Sequence, residues 1–328
     1  MGRSIVVAGA VSFYMSLGVE EFPLPYTPTA LPRWFATGVA GAGGHIARVL
    51  RTLGDDVRLC SVIGRDLLGT GMRAELGRLG LDGPGIVESE RSSAGVVLVG
   101  PDGPRMGFPY LEPVNGVDYP PTAFEALARD AGLLVLTNAK FVRPLVPHAA
   151  RLGIPIAVDT HLIADLDDPY NQPWLEAATI VFCSHERLPC SAEAWSAALL
   201  RRYPRCAVVG VGLGARGVLV ALRDGRLVRV EAVAPRGVVN TCGAGDALFS
   251  TFLHFVCRYG DPVRAARHAV THAGWKIGHQ APVAASLTYQ ELSALVESHG
   301  PRVSVCHVGS REDEGSRSAG GCSSVAEP

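Results

Sequence analysis

Short apolar runs rich in Val, Ile and Leu alternate along the chain with longer stretches whose apolar residues recur every three or four positions. The first pattern predicts buried strands and the second amphipathic helices. A strand is predicted at 5–8, ending at Gly9. Residues 11–39 carry Pro23, Pro25, Pro28 and Pro32 among scattered apolar positions, which excludes a helix and predicts short strands and loops standing off the main sheet. Residues 40–47 open a helix that runs to Leu53 and stops at Gly54. A strand at 57–63 and a helix at 70–79 follow, then a strand from Val96, a turn at 101–104 and a returning strand over 105–110. Beyond these the pattern repeats: helix 121–129, strand 133–137, helix 143–152, strand 154–158, helix 172–177, strand 179–182, helix 191–202 and strand 206–211. A strand pair follows around 217–222 and 227–230, then a buried helix after Asp246 and helices at 261–278 and 288–298. Strands alternating with helices predict an α/β fold, its sheet mostly parallel and covered on both faces.

Composition narrows the classes. Of 328 residues, 48% are hydrophobic but only 7% aromatic, which suits a sheet covered by Ala/Leu-rich helices. Thirty basic residues against thirty-one acidic ones give a net charge of −1, so nothing points to nucleic acid or an anionic membrane. The cysteines form no C-x-x-C pair, and reduced thiols in a cytoplasmic protein are the simpler expectation. The run after Arg3 imitates a signal peptide, but one Arg and a β-branched stretch broken by Gly9 fit a first strand better. No run is long and apolar enough to span a bilayer. Residues 309–328 are polar, Gly/Ser-rich and without periodicity, and are expected to form a disordered tail behind a domain of 1–308.

The chemistry concentrates in Asn240-Thr241-Cys242-Gly243-Ala244-Gly245-Asp246, just before the buried helix. Glycines at a helix entrance leave backbone N–H groups bare, and with the helix dipole they make a seat for an anion. A carboxylate there is ordinarily a cap, but beside an anion it can also take the proton of an attacking hydroxyl. A second glycine cluster, Gly41-Ala42-Gly43-Gly44, fails as a dinucleotide fingerprint, because Ile46 stands where the third glycine belongs.

The heptapeptide resembles the D-T-x-G-A-G-D signature of the PfkB (ribokinase-like) carbohydrate kinases, with Asn240 in place of the first Asp. The resemblance runs over roughly residues 4–308 with its landmarks in order. It implies a ribokinase-like domain whose segments 11–39 and 92–112 form a small β-sheet lid over the sugar, closing to exclude water. It implies an ATP-dependent phosphotransferase acting on a hydroxyl, a primary one, of a sugar or sugar-like molecule, with Asp246 as general base and Gly243, Ala244 and Gly245 as the anion hole. ATP and Mg²⁺ follow from that chemistry, the magnesium held mostly by phosphates and water. Thr241, Gly214, Gly217, His272 and Gly274 fall at nucleotide-side positions. Glu186 fits the family's N-x-x-E, with an indirect role toward the metal, although Cys183 replaces the Asn. On the acceptor side Gly41 matches, His45 replaces an Asn, Tyr14 falls at or beside the usual Asp, and Asn138 is a further polar candidate. These departures argue against ordinary ribose as the best acceptor. They leave open a nucleoside kinase and a non-catalytic ligand-binding or regulatory member of the fold. A homodimer is compatible with the resemblance.

Overall fold

The computed structural model describes residues 4–101, 103–281, 286–307 and 323–324. Its strands, in chain order, are Ser4–Ala8 (β1), Ser12–Gly18 (β2), Trp34–Ala40 (β3), Val57–Gly64 (β4), Ile86–Ser89 (β5), Ala94–Val99 (β6) and Arg105–Tyr110 (β7). Ala131–Thr137 (β8), Ile156–Leu162 (β9), Ile180–Ser184 (β10), Val208–Gly212 (β11), Val218–Leu222 (β12), Arg226–Val230 (β13), Val303–His307 (β14) and Ser323–Ser324 (β15) complete them. Eleven strands form the main sheet in the order β15-β14-β13-β12-β11-β10-β9-β8-β1-β4-β5. It is parallel from β5 to β11 and antiparallel from β11 onward.

The period of a strand explains how one sheet supports two cores. Along β1, Ile5 and Val7 join the core beneath the helices Ala42–Thr52 and Ala244–Tyr259, while Val6 and Ala8 join the core on the opposite face. Helix spans depart from expectation chiefly at 143–152. There Pro144 removes an N–H, the chain opens as a 3-10 helix over Lys140–Leu145, and only Val146–Arg151 is α-helical. The strands β5 and β14 were not expected: Ile86-Val-Glu-Ser carries no alternation, and β14 follows the last helix closely.

The two Pro-interrupted segments come together as a separate four-stranded sheet, β3-β2-β6-β7. Asp66 ties that sheet to the main domain. It caps the helix Leu67–Arg78 by accepting from Gly69 N (2.8 Å), and it also accepts from the N–H and hydroxyl of Ser92, just before β6 (2.8 and 2.6 Å). The expectation for 309–328 falls outside the described residues, apart from the short pairing of β15 with β14. Among the described residues no helix is long and apolar enough to cross a membrane.

Candidate active site

In a parallel sheet the turns beyond the C-terminal strand ends gather in one crevice, where ligands of open α/β sheets bind. Here the ends of β1, β8 and β9, the first turn of helix Ala42–Thr52 and the loop 240–246 enclose a cleft of about 280 Å³ under the small sheet. Ser12, Tyr14, Gly41, His45, Asn138, His161, Gly243 and Asp246 are among its lining residues. The structure thus brings together every acceptor-side residue expected from the sequence.

The loop is built to leave donors free. Gly243 sits at φ 78°, a left-handed conformation that a side chain disfavours, and precedes the helix Ala244–Tyr259. Ala244, expected in the anion hole with Gly243 and Gly245, departs from that expectation, because its N–H is engaged by Thr241 O at the turn. Ala247 N donates to Gly243 O, whereas among the described residues the N–H groups of Gly243, Gly245 and Asp246 meet no protein acceptor. A Cβ placed on Gly245 would meet nothing within 4 Å, so space adjoins those donors. Free N–H groups at a helix N-terminus are able to seat an anion.

Asp246 stands at its rim. His45 Nδ1 lies 3.3 Å from Asp246 Oδ2, while Oδ1 is buried and has no hydrogen-bond partner among the described residues. Burial pushes the Asp246 carboxyl up, but the hydrogen bond and charge of His45, with His161 and Lys276 beyond, outweigh it and hold the group below the usual carboxylate value. It is therefore ionised at neutral pH with one oxygen unengaged. His161 faces it from the end of β9, at φ 55°, with its backbone N–H on Asp159 Oδ1 (2.9 Å) and its Nδ1 3.6 Å from Asp159 Oδ2. Desolvation by the cleft walls disfavours a charged His161, weakly because its side chain is 44% exposed, while Asp159 and then Asp246 raise its pKa above the ordinary imidazole value. Asp159 is itself pushed up, by burial first and by the like charge of Asp246, against the pull of His161. Burial, then Cys242 and Asp246, push the Tyr14 phenol to about 12, so it stays protonated as a donor.

His45 was expected to touch the acceptor; it lines the cleft, and its Nδ1 is turned to the Asp246 carboxylate. Asn138 lines the cleft while its amide donates to Thr160 O and Asn171 Oδ1 (both 3.2 Å). Among the residues expected at the nucleotide, Glu186 rides on a 3-10 turn that lies beside the turn of Gly214 and Gly217 at the ends of β10 and β11, with His185 Nδ1 2.9 Å from Gly212 O. Gly217, at φ 91°, lies so close to β13 that a Cβ would overlap Val230 O. Glu186 is exposed, and its carboxylate meets no partner among the described residues. Thr241 turns to the small sheet: its hydroxyl donates to Gly103 O (3.1 Å) and accepts from Arg105 Nη1 (3.0 Å). His272 is buried, with Nδ1 2.7 Å from Thr251 Oγ1 and Nε2 accepting from Leu287 N (3.3 Å), so no ring nitrogen is left for a nucleotide. Gly274 lets its helix pass against Val233 O.

His161, Arg105 and the buried Lys276 were missed from the sequence. His161 alone carried a signal, its place just past Asp159 at the end of a parallel strand. Asp159, His161 and Asp246 offer ligand atoms within 4.8 Å of one another. An imidazole in that set suits a transition metal better than magnesium, which prefers oxygen.

The profile of the pfkB family carbohydrate kinases matches residues 3–288. The chain belongs to that family. It is thereby an ATP-dependent carbohydrate kinase, of a family whose relatives act on sugars or nucleosides. An acarbose 7(IV)-phosphotransferase of Actinoplanes sp. is 28% identical over 256 residues, 76% of this chain and 83% of that protein. A nucleoside kinase of Methanothermobacter thermautotrophicus is 25% identical over 276 residues, 81% of this chain and 87% of that protein. Among solved structures, a microbiome-derived acarbose kinase superposes with a TM-score of 0.78 at 22% identity, covering 90% of this kinase and 100% of that chain. A ribokinase from Giardia lamblia gives 0.75 at 19% identity, over 91% and 99%. These structural likenesses bear out the ribokinase-like fold, with its mostly parallel sheet and small separate sheet.

Proposed function

We propose that this kinase transfers the terminal phosphoryl group of ATP to a primary hydroxyl of a modified sugar, with Asp246 as general base. One observation carries the reading: an ionised carboxylate with a free oxygen, at the rim of three unengaged N–H donors on a helix N-terminus. The acceptor hydroxyl gives its proton to Asp246 Oδ1 as its oxygen bonds to phosphorus and the bond to ADP breaks. The N–H groups of Gly243, Gly245 and Asp246 face the charge that develops, where prepositioned donors contribute most. His45 keeps the carboxylate in place. The small sheet acts as the lid that excludes water, with Arg105 and Gly103 bonded to Thr241 at its contact with the loop. Bound Mg²⁺ would neutralise phosphate charge. The open donor cradle fits the phosphates, and Glu186, with its carboxylate unpaired, is the residue available to a magnesium water shell.

The cleft wall supports this acceptor class. An Asp and an Asn that would bond sugar hydroxyls are replaced by Tyr14 and His45, and His161 adds a second imidazole. Flat faces with single polar tips favour an acceptor with fewer free hydroxyls or an attached ring. The two relatives named for acarbose agree with this class, and the relative named a nucleoside kinase keeps nucleosides as the second reading. A screen of acceptor-dependent ADP formation over ribose, fructose, deoxy-sugars, nucleosides and acarbose-type pseudo-sugars tests it. The expected result is a kcat/KM at least tenfold higher for a pseudo-sugar or deoxy-sugar than for ribose; ribose as the best acceptor would overturn the acceptor assignment.

A further inference from the structure

Lys276, the last residue of the helix Pro262–Lys276, is a buried cation without a carboxylate partner among the described residues. Its ammonium donates to two backbone carbonyls of the loop, Asn240 O (3.1 Å) and Cys242 O. Burying an ammonium is costly, and backbone carbonyls offset only part of that cost. Asn240, standing where the resembled signature has Asp, is a neutral amide whose own groups are engaged. Its Nδ2 donates to Gln280 O (2.7 Å) and its Oδ1 accepts from Cys242 N (2.9 Å). The lysine's charge is thus not cancelled on the spot. Burial lowers Lys276 to about 8, against the pull of Cys242 and Asp246 and with the push of Arg105, so it remains mostly charged at neutral pH.

Peptide geometry says what that charge does. The C=O and N–H of a trans peptide point in opposite directions. Drawing the Cys242 carbonyl to the ammonium therefore turns the N–H of Gly243 away from it, and Gly243 and Cys242 both line the cleft. That N–H is one of the three without a protein acceptor. We infer that Lys276 is a positioning residue, a fixed positive charge behind the loop 240–246 that aims its N–H groups into the cleft and favours an anion there. The inference rests on the proposed phosphoryl transfer only for the identity of the anion.

The test replaces the lysine and supplies the cation from solution. Lys276→Ala removes the ammonium and leaves a space of its size, while Lys276→Met fills the space without charge. Two readouts are taken, each in sodium, ammonium and tetramethylammonium chloride at equal ionic strength. One is ATP affinity by calorimetry without acceptor, compared with ADP; the other is acceptor-dependent ADP formation. For Lys276→Ala in sodium we expect ATP affinity to fall at least tenfold while ADP affinity changes less than threefold. We expect kcat to fall at least a hundredfold with acceptor KM within threefold. Ammonium should restore both saturably in Lys276→Ala, tetramethylammonium should not, and Lys276→Met should resist rescue. The proposal is overturned if folded Lys276→Met keeps kcat and ATP affinity within threefold of wild type. It is equally overturned if Lys276→Ala is impaired, or unfolded, alike in all three salts, since the lysine would then be a packing group. A wild type without acceptor-dependent turnover would instead count against the proposed function, and the ATP-affinity readout would still decide the role of Lys276.

Discussion

The two ends of the cleft are built in opposite ways. At the end proposed for phosphoryl transfer a single stretch, 240–246, supplies the left-handed glycine, the free N–H groups and the carboxylate. At the end proposed for the acceptor, Tyr14, His45, Asn138 and His161 come from four separate segments: a strand of the small sheet, a helix start and the ends of two parallel strands. A donor cradle demands fixed backbone, and neighbouring residues fix one another through short-range peptide geometry. A specificity wall demands only that side chains converge, so each can change without disturbing the others. On this account the chemistry is held by the loop and substrate choice by the wall.

The comparison is best broken by variants that ought to act on one end alone. Asp246→Asn should lower kcat by roughly a hundred- to ten-thousand-fold on every acceptor, as expected for a lost general base. ATP affinity, measured by calorimetry, should stay near wild type. Near-wild-type turnover would remove Asp246 from the mechanism and favour a ligand-binding member of the fold. Next comes the wall. Tyr14→Asp with His45→Asn should raise kcat/KM for ribose relative to pseudo-sugars by about ten- to a hundredfold, because ribose hydroxyls regain partners. Absolute rates should fall for all acceptors, since His45 also holds Asp246, so the ratio is the quantity to read.

His161→Ala should raise the acceptor KM by about tenfold, the order of one hydrogen bond to a charged group, with the KM for ATP unchanged. An equal rise in both would show that His161 serves the phosphoryl end too. The smallest effect on turnover belongs to His272, which the structure assigns to the core. Burial holds it neutral, with a pKa of about 3. The unfolded chain takes up a proton at this residue below about pH 6.5, whereas the folded one does not until about pH 3. Folding stability should therefore fall with pH across that window, by about 1 kcal/mol per unit from this residue. In denaturant titrations at pH 7 and 5, His272→Gln should lose less stability on acidification than wild type, with ATP binding unaltered. A clear loss of ATP binding would return His272 to the nucleotide site.

What was legible in the sequence follows the same division. The strands declare themselves because parallel strands buried on both faces are continuous apolar runs, as in Ile5-Val-Val-Ala and Leu133-Leu-Val-Leu. The loop 240–246 declares itself because its parts are contiguous. The helix expected over 143–152 failed at Pro144, where a 3-10 turn accommodates the missing N–H. Lys276 could not be anticipated, because at a helix end a lysine ordinarily faces water and complements the dipole. Only the fold brings it under a loop more than thirty residues earlier. His161 offered only its place just past Asp159 at a parallel strand end, and its neighbours appear once β8, β9 and the loop converge. His272 looked like a border of the nucleotide because helix periodicity does not say whether a histidine meets a ligand or another helix.

The phosphorus-31 spectrum of the product tests the central claim most directly. With the best acceptor of the screen and one equivalent of ATP, a single phosphomonoester resonance should appear, coupled to a pair of methylene protons, together with one equivalent of ADP. Inorganic phosphate as the sole product would mean that water, not an acceptor hydroxyl, reaches the phosphoryl group, and would contradict the account.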